Sequence, residues 1–320
     1  MNDQVEAGQA KVAIVGLGNV GAGFAFALSL KRLVGELVLV DVNAAKAEGE
    51  AMDLIHGLPL IGPMAIRAGG YELCAGADIV VISAGANQKP GQSRLDLLKT
   101  NASIVAEVAR EVLRHAPGAI LLVATNPVDV LTHNVLKQTG LAPGRVIGSG
   151  TVLDSSRLRS LLSQYLEVDV RGIHAHIIGE HGDSELAVWS RANISGIPLA
   201  EFCALRSKPF DENVRAGMHE QVRRAAYEII ARKGATAYGV SVALCRIVES
   251  ILKDEKSILT VSTSVHGLHG LPDVCLSLPC VVGSSGVELV LESMLSDDEH
   301  AALLKSAGVL LENARALGIN

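Results

Sequence analysis

The stretch Gly179-Glu180-His181-Gly182-Asp183-Ser184-Glu185 sets one histidine between two glycines, directly after the alternation His174-Ala175-His176-Ile177-Ile178. The alternation reads as a strand and the glycines as a turn, so His181 projects from a strand end with little backbone crowding. Imidazole is the side chain whose ordinary pKa lies nearest neutrality, and a position of this kind suits proton donation and removal.

A second stretch with chemical meaning lies near the start. Gly16-Leu17-Gly18-Asn19-Val20-Gly21 has the spacing G-x-G-x-x-G, follows the apolar run Lys11–Val15 and opens a segment of helical composition over 22–30. In that context Gly16 permits a tight turn, Gly18 lets a pyrophosphate approach the backbone, and Gly21 lets helix and strand pack closely. The free N–H groups of the helix start would meet the phosphates, with Val20 in the same turn. Asp41 lies 20 residues past Gly21, at the end of a second strand, where a carboxylate accepts hydrogen bonds from a ribose diol. A carboxylate there repels a 2′-phosphate, which predicts NAD rather than NADP as cofactor.

The elements that must position these groups alternate. Apolar runs at 11–15, 36–41, 78–83 and 119–124 are separated by helical segments at 22–30, 44–56 and 95–114. Strands this uniformly apolar are covered on both faces, as in a parallel sheet flanked by helices. The expected fold class is therefore α/β, a doubly wound parallel sheet of Rossmann type over 1–150, followed by an α+β substrate domain over 151–320. In the second half helices are expected over 154–165, 213–232 and 236–253, and strands over 257–265, 274–282 and 287–289. Val214, Met218, Val222, Ala226 and Ile230 recur every four residues and predict a buried stripe. Ser296 and Glu299 have capping-box spacing ahead of a last helix that closes at Gly318.

Composition narrows the function classes. Of 320 residues 49% are hydrophobic and 19% charged, which describes a packed globular chain. Aromatics are 3% and the net charge is -6, which argues against a nucleic-acid or anionic-membrane partner. No apolar run approaches the ~18 residues that span a bilayer, and the polar start does not read as a secretory signal. Five cysteines without a C-x-x-C pair read as reduced core thiols in a cytoplasm, with no metal site expected.

Four further segments complete the pattern: Ala84-Gly85-Ala86-Asn87-Gln88-Lys89-Pro90-Gly91-Gln92-Ser93-Arg94, Thr125-Asn126-Pro127-Val128-Asp129, Leu153-Asp154-Ser155-Ser156-Arg157 and Gly234-Ala235-Thr236. Together with G-E-H-G-D-S-E, in this order and spacing, they resemble the NAD-dependent 2-hydroxy-acid dehydrogenases of the lactate/malate dehydrogenase family over nearly the whole chain. The resemblance implies His181 as proton donor and acceptor, Asp154 as its orienter, Arg157 as holder of the substrate carboxylate, and Arg94 as a group brought to the substrate carbonyl by loop closure. It also implies that Asn126 contacts substrate oxygen and nicotinamide, that Gly85 lies along the cofactor, and that Thr236 lines the pocket opposite.

Within that family an arginine at the position of Gln88 accompanies malate dehydrogenases, where it pairs with a second carboxylate. Here a neutral Gln88 would leave that charge buried and unpaired, a cost of several kcal/mol on the order of a buried lone ion. The expected substrate pair is therefore pyruvate and lactate, with L-handedness implied by the resemblance. The resemblance further implies a homotetramer in which Arg159 and His174 bind fructose 1,6-bisphosphate between subunits. Three alternatives stay open: a malate dehydrogenase, a dehydrogenase of branched 2-keto acids, and a non-catalytic NAD-binding sensor.

Overall fold

The computed structural model describes residues 10–86, 91, 93–292 and 294–319, so the expectation placed on Gln88 lies outside the described residues. In the first half β1 (Lys11–Val15), α1 (Asn19–Lys31), β2 (Glu36–Val40), α2 (Ala44–Ile61), β3 (Ala65–Ala68), β4 (Ile79–Ile82), α3 (Arg94–His115), β5 (Ile120–Val123), α4 (Val128–Thr139) and β6 (Val146–Gly148) follow one another. The six strands run parallel in the order β6-β5-β4-β1-β2-β3.

Because side chains alternate across a strand, each apolar run serves two cores. Val12, Ile14, Leu37, Leu39, Ile79 and Val81 pack with Phe24, Leu28 and Ala47 of α1 and α2. Ala13, Val15, Val38, Val40, Val80 and Ile82 pack with Val105, Ala109 and Leu131 of α3 and α4. Two strands escape sequence reading. β3 has four residues including Arg67, and β6 has three including a glycine, too few to show periodicity.

The second half comprises α5 (Val152–Leu166), β7 (Ile173–His174), β8 (Ile177–Ile178), β9 (Leu186–Ala187), β10 (Asn193–Ile194), β11 (Ile197–Pro198), α6 (Leu199–Leu205), α7 (Glu212–Lys233), α8 (Tyr238–Leu252), β12 (Ser257–Ser264), β13 (Cys275–Gly283), β14 (Gly286–Val290) and α9 (Asp297–Ala316). Its long strands extend the first sheet: β12 joins β6 antiparallel at Ser262 opposite Gly148, and β13 and β14 follow. Among the described residues a single sheet thus runs β14-β13-β12-β6-β5-β4-β1-β2-β3. The junction leaves no room for a side chain, since a Cβ on Gly148 would sit 2.4 Å from Thr132 Oγ1.

Two expectations need correction. Residues 174–178 form two strands in different sheets, β7 pairing with β10 and β8 with β9. Alternation reports which side chains are buried, and Ile173, Ala175 and Ile177 all are, but the partner strand decides where pairing stops. The stripe on α7 is buried only at Met218 and Val222, where α5 covers it with Leu158 and Leu162. Ile230 is 48% exposed, because the last turns of α7 run beyond that cover.

The capping box of α9 forms as expected, Ser296 Oγ accepting the N–H of Glu299 and Glu299 Oε2 accepting that of Ser296. All five cysteines are buried and free. No helix among the described residues is long and apolar enough to cross a membrane.

Candidate active site

The sheet order places β1 and β4 side by side, with helices leaving to opposite faces, so a crevice opens beyond the carboxyl ends of these strands. Gly16 turns there with φ +95°, and a Cβ on it would lie 2.4 Å from the backbone nitrogen of Ala84. A Cβ on Gly21 would lie 2.0 Å from the Gly16 carbonyl oxygen. Packing within the chain explains both glycines. Gly18 differs: it is exposed, its φ of -65° is open to any residue, and no described residue lies within 4 Å of a Cβ built on it.

Among the described residues the space over Gly18 is open. α1, which starts there, has no side-chain cap and no acidic residue in its first turn, leaving its N–H groups and positive dipole end for an anion. Asp41 Oδ2 accepts the N–H of Leu17 at 2.7 Å and Oδ1 that of Asn43 at 2.9 Å, tying the glycine loop to the end of β2. A carboxylate has about four acceptor sites, so capacity remains for a ribose diol. These residues fit a dinucleotide with its pyrophosphate at Gly18 and its ribose at Asp41.

The two glycines predict different variants. Gly16→Ala should destabilise the protein by about 2–4 kcal/mol, through strain at positive φ and a backbone clash. Gly18→Ala, at the N-cap of α1, should cost about 1 kcal/mol or less while weakening NADH binding. Thermal melts without cofactor and fluorescence titrations with NADH separate the two; a normal melt for Gly16→Ala would contradict the packing argument.

α5, which follows β6, presents Asp154 and Arg157 from its first two turns, three residues apart and so on one side of the helix. His181 stands in the loop from β8 to β9. That loop is fixed at Gly179, whose N–H and carbonyl bond to Ser277 of β13 at 2.8 and 2.9 Å. His181 Nδ1 lies 2.6 Å from Asp154 Oδ2, and Arg157 Nη1 donates to Asp154 Oδ1 at 2.6 Å. The backbone N–H of His181 donates to Asp129 Oδ2 at 2.7 Å. The Asp154 side chain is 2% exposed and that of His181 25%, so the couple is anchored inside while the ring edge meets the crevice.

Electrostatics set the proton inventory. Burial disfavours the His181 imidazolium, but the charge and hydrogen bond of Asp154, with Asp129 and Glu185, outweigh it and raise the pKa to about 9. Burial would push Asp154 up, yet His181 and Arg157 hold it below the usual carboxylate range. Asp129 is pushed up by burial to about 6, against the hydrogen bond and charge of His181. At neutral pH the couple is thus imidazolium and carboxylate. Nδ1–H is engaged with Asp154, which leaves Nε2 to deliver or take a proton.

The remaining predicted residues lie on other elements. Asn126 is exposed beyond β5, and its carbonyl accepts from Asn101 Nδ2 at 3.4 Å. Gly85 follows β4, and a Cβ there would lie 2.7 Å from Thr125 Cγ2. Arg94 is the exposed first residue of α3, and its charge reaches the phenol of Tyr227, which donates to Asp183. Thr236 is half-buried between α7 and α8, next to Ala237, which abuts Gly23 of α1. His181, Asp154 and Arg157 are in direct contact; Arg94, Asn126 and Thr236 make no hydrogen bond to them.

Three contributors were not singled out by sequence. Buried Asn101 accepts the N–H of Ala86 at 2.8 Å and so joins the loops after β4 and β5; an asparagine inside the apolar stripe of 95–114 was the available sign. Asp129 belongs to a quoted segment but had no role until His181 reached it. Glu185 shares the His181 turn, and only folding shows that it is buried beside Asp154.

Comparison with known proteins agrees with this geometry. The lactate/malate dehydrogenase NAD-binding domain model matches residues 10–148, and the alpha/beta C-terminal domain model of the same family matches 151–317. L-lactate dehydrogenase of Nitratidesulfovibrio vulgaris is 58% identical over 307 residues, covering 96% of this chain and 99% of that protein. L-lactate dehydrogenase of Moorella thermoacetica is 53% identical over 304 residues, covering 95% and 96%. Among solved structures, a lactate dehydrogenase from a Medee basin deep-sea metagenome superposes with TM-score 0.94 at 44% identity, covering 97% of this chain and 99% of that one. The minor L-lactate dehydrogenase of Enterococcus mundtii superposes with TM-score 0.92 at 41% identity, with the same coverage. A glycine loop suited to a dinucleotide, a His–Asp–Arg cluster built on buried Asp154, and matches over both halves give one conclusion: the chain belongs to the lactate/malate dehydrogenase family.

Proposed function

We propose that this protein is an NAD-dependent L-lactate dehydrogenase that interconverts pyruvate and L-lactate, divided near residue 150 into a cofactor half and a substrate half. The observation that carries the reading is the His181–Asp154–Arg157 cluster, with His181 held protonated near neutrality. The nicotinamide, when bound, supplies or accepts the hydride. His181 Nε2 gives its proton to the carbonyl oxygen during reduction and takes one from the hydroxyl during oxidation, while Asp154 keeps the ring in register and stabilises the imidazolium. Arg157 orients the substrate carboxylate with the fork edge that Asp154 does not use. Arg94 stabilises charge on the carbonyl oxygen, Asn126 and Thr236 border the pocket, and neutral Gln88 favours a methyl group over a second carboxylate.

Two finer features belong to the same reading. Arg159 and His174 form an anion site for fructose 1,6-bisphosphate. In support, Arg159 and His174 both act on half-buried His176, which burial and those two charges push down to about 4. A homotetramer is supported by large apolar side chains left exposed on α1, α2 and α8, among them Phe26, Leu30, Met52, Ile55, Leu60 and Val242. Buried, unpaired thiols suit a cytoplasmic enzyme.

The test is NADH oxidation with pyruvate, oxaloacetate and 2-ketoisocaproate, each with and without the bisphosphate. Pyruvate should be preferred over oxaloacetate by about 10³-fold, the equivalent of roughly 4 kcal/mol for an uncompensated buried charge. Gln88→Arg should reverse much of that preference. The bisphosphate should shift the pyruvate saturation curve in the wild type and not in Arg159→Ala. A wild-type preference for oxaloacetate or the branched acid would overturn the substrate assignment.

A further inference from the structure

Glu185, at the end of the His181 turn, is 5% exposed, and its Oε1 has no hydrogen-bond partner among the described residues. His219 Nε2, on α7, is also buried without a partner and lies 3.8 Å from that oxygen. Ligand atoms of Asp154, His181 and Glu185 lie within 4.8 Å of one another. Three carboxylates therefore surround one imidazole. Asp154 is balanced by His181 and Arg157, whereas Asp129 takes the N–H of His181 on Oδ2 and has no partner for Oδ1 among the described residues. A third ionised carboxylate with an oxygen that receives no donor is costly, whereas a protonated one carries its own donor and needs no counter-charge.

We propose that Glu185 and His219 share one exchangeable proton beside the His181–Asp154 couple, and that as positioning residues they set the pH range over which His181 is an acid. The inference rests on the assignment of His181 as proton donor. Glu185 faces Asp154 and Arg157 from α5, His181 from its own loop, and His219 and Arg223 from α7; His219 also faces Glu220. Burial pushes the Glu185 carboxyl up to about 8, Asp154 adds to this, and His181, Arg157 and Arg223 oppose it. Burial pulls His219 down, with Arg223 adding, and Glu220 and the backbone of Glu185 opposing. At neutral pH the pair is then a carboxylic acid facing a neutral imidazole across 3.8 Å.

The proton balance closes without a further reactant. When Glu185 ionises, its proton passes to His219 Nε2 and the ring releases the proton of its other nitrogen to water, since 23% of that side chain is exposed. The Glu185 anion then stabilises the His181 imidazolium and keeps the acid in place at higher pH. When His181 delivers its proton to substrate, the lost positive charge makes Glu185 hold its own proton more tightly.

The test compares Glu185→Gln and His219→Phe with wild type in the pH profile of kcat/KM for pyruvate. Gln is neutral at every pH and cannot support the imidazolium, so the alkaline limb should move down by about 0.5–1 pH unit, with activity at mildly acidic pH held within about threefold. His219→Phe should move the limb the same way, because the carboxyl then keeps its proton. Infrared difference spectra of the NADH-bound protein across the same range should contain the carbonyl stretch of a protonated carboxylic acid, lost near pH 8 and absent in Glu185→Gln. Superimposable alkaline limbs, or no such band in the wild type, would overturn the proposal. If His181→Asn retained turnover, the underlying assignment would fail instead; an inactive His181→Asn with an unmoved Glu185→Gln profile removes this inference alone.

Discussion

His181→Asn is expected to lower kcat for pyruvate reduction by about 10³- to 10⁴-fold, near the upper range for loss of a positioned general acid. Asparagine keeps a polar amide near Asp154 but cannot release a proton at neutral pH. Nothing at the cofactor loop depends on His181, since Gly16, Gly18 and Asp41 take their geometry from β1, β2 and β4. NADH affinity in a fluorescence titration should therefore stay within about threefold of wild type, an effect of well-separated sites. The variant should also change the pH dependence of stability. A folded-state pKa raised from 6.5 to about 9 gives stability that is complete below pH 6.5 and lost as pH rises through 9. Wild type should therefore lose thermal stability across that window relative to His181→Asn. Near-normal turnover in the variant would remove His181 from its role.

Asp154→Asn is expected to cost about 10²- to 10⁴-fold in kcat at neutral pH, although the side chain keeps its shape. Without the carboxylate the largest force raising His181 is gone, and burial pulls the ring toward the neutral form. An amide that donates to Nδ1 would also fix the proton on Nε2 of a neutral ring, a far weaker acid than imidazolium. Two contacts lose their charge at once, to His181 and to Arg157, each 2.6 Å long in the wild type. Loss of one partner from such a cluster costs about 3–5 kcal/mol of stability. The optimum for pyruvate reduction should move to lower pH, and lactate oxidation should be less affected at acid pH than in His181→Asn. A pH–rate profile with melts at each pH checks both effects; an unshifted optimum would show that Asp154 does not control the proton on His181.

Local pattern carried most of the first half, because each signal there is complete within a few residues. The run Val12-Ala13-Ile14-Val15 is apolar throughout because both faces of β1 are covered, and the G-x-G-x-x-G spacing follows from one tight turn. The same logic fails where an element is shorter than its own period, as at β3 and β6, or where a neighbour rather than the chain decides burial, as on the last turns of α7.

By itself the sequence determined the parallel α/β half, the dinucleotide loop with Asp41 beyond it, and which side chains have the chemistry to move a proton and hold an anion. Those are properties of residue type and short spacing. Only the tertiary structure decided that His181 and Asp154, 27 positions apart, meet at 2.6 Å, that Asp129 accepts the His181 N–H, that Asn101 ties two loops together, and that β12 to β14 extend the first sheet. It alone buries Glu185 against His219. The reason is physical: the pKa of each of these groups, and the partner of each hydrogen bond, depend on desolvation and on charges contributed by distant segments, and neither exists until those segments pack.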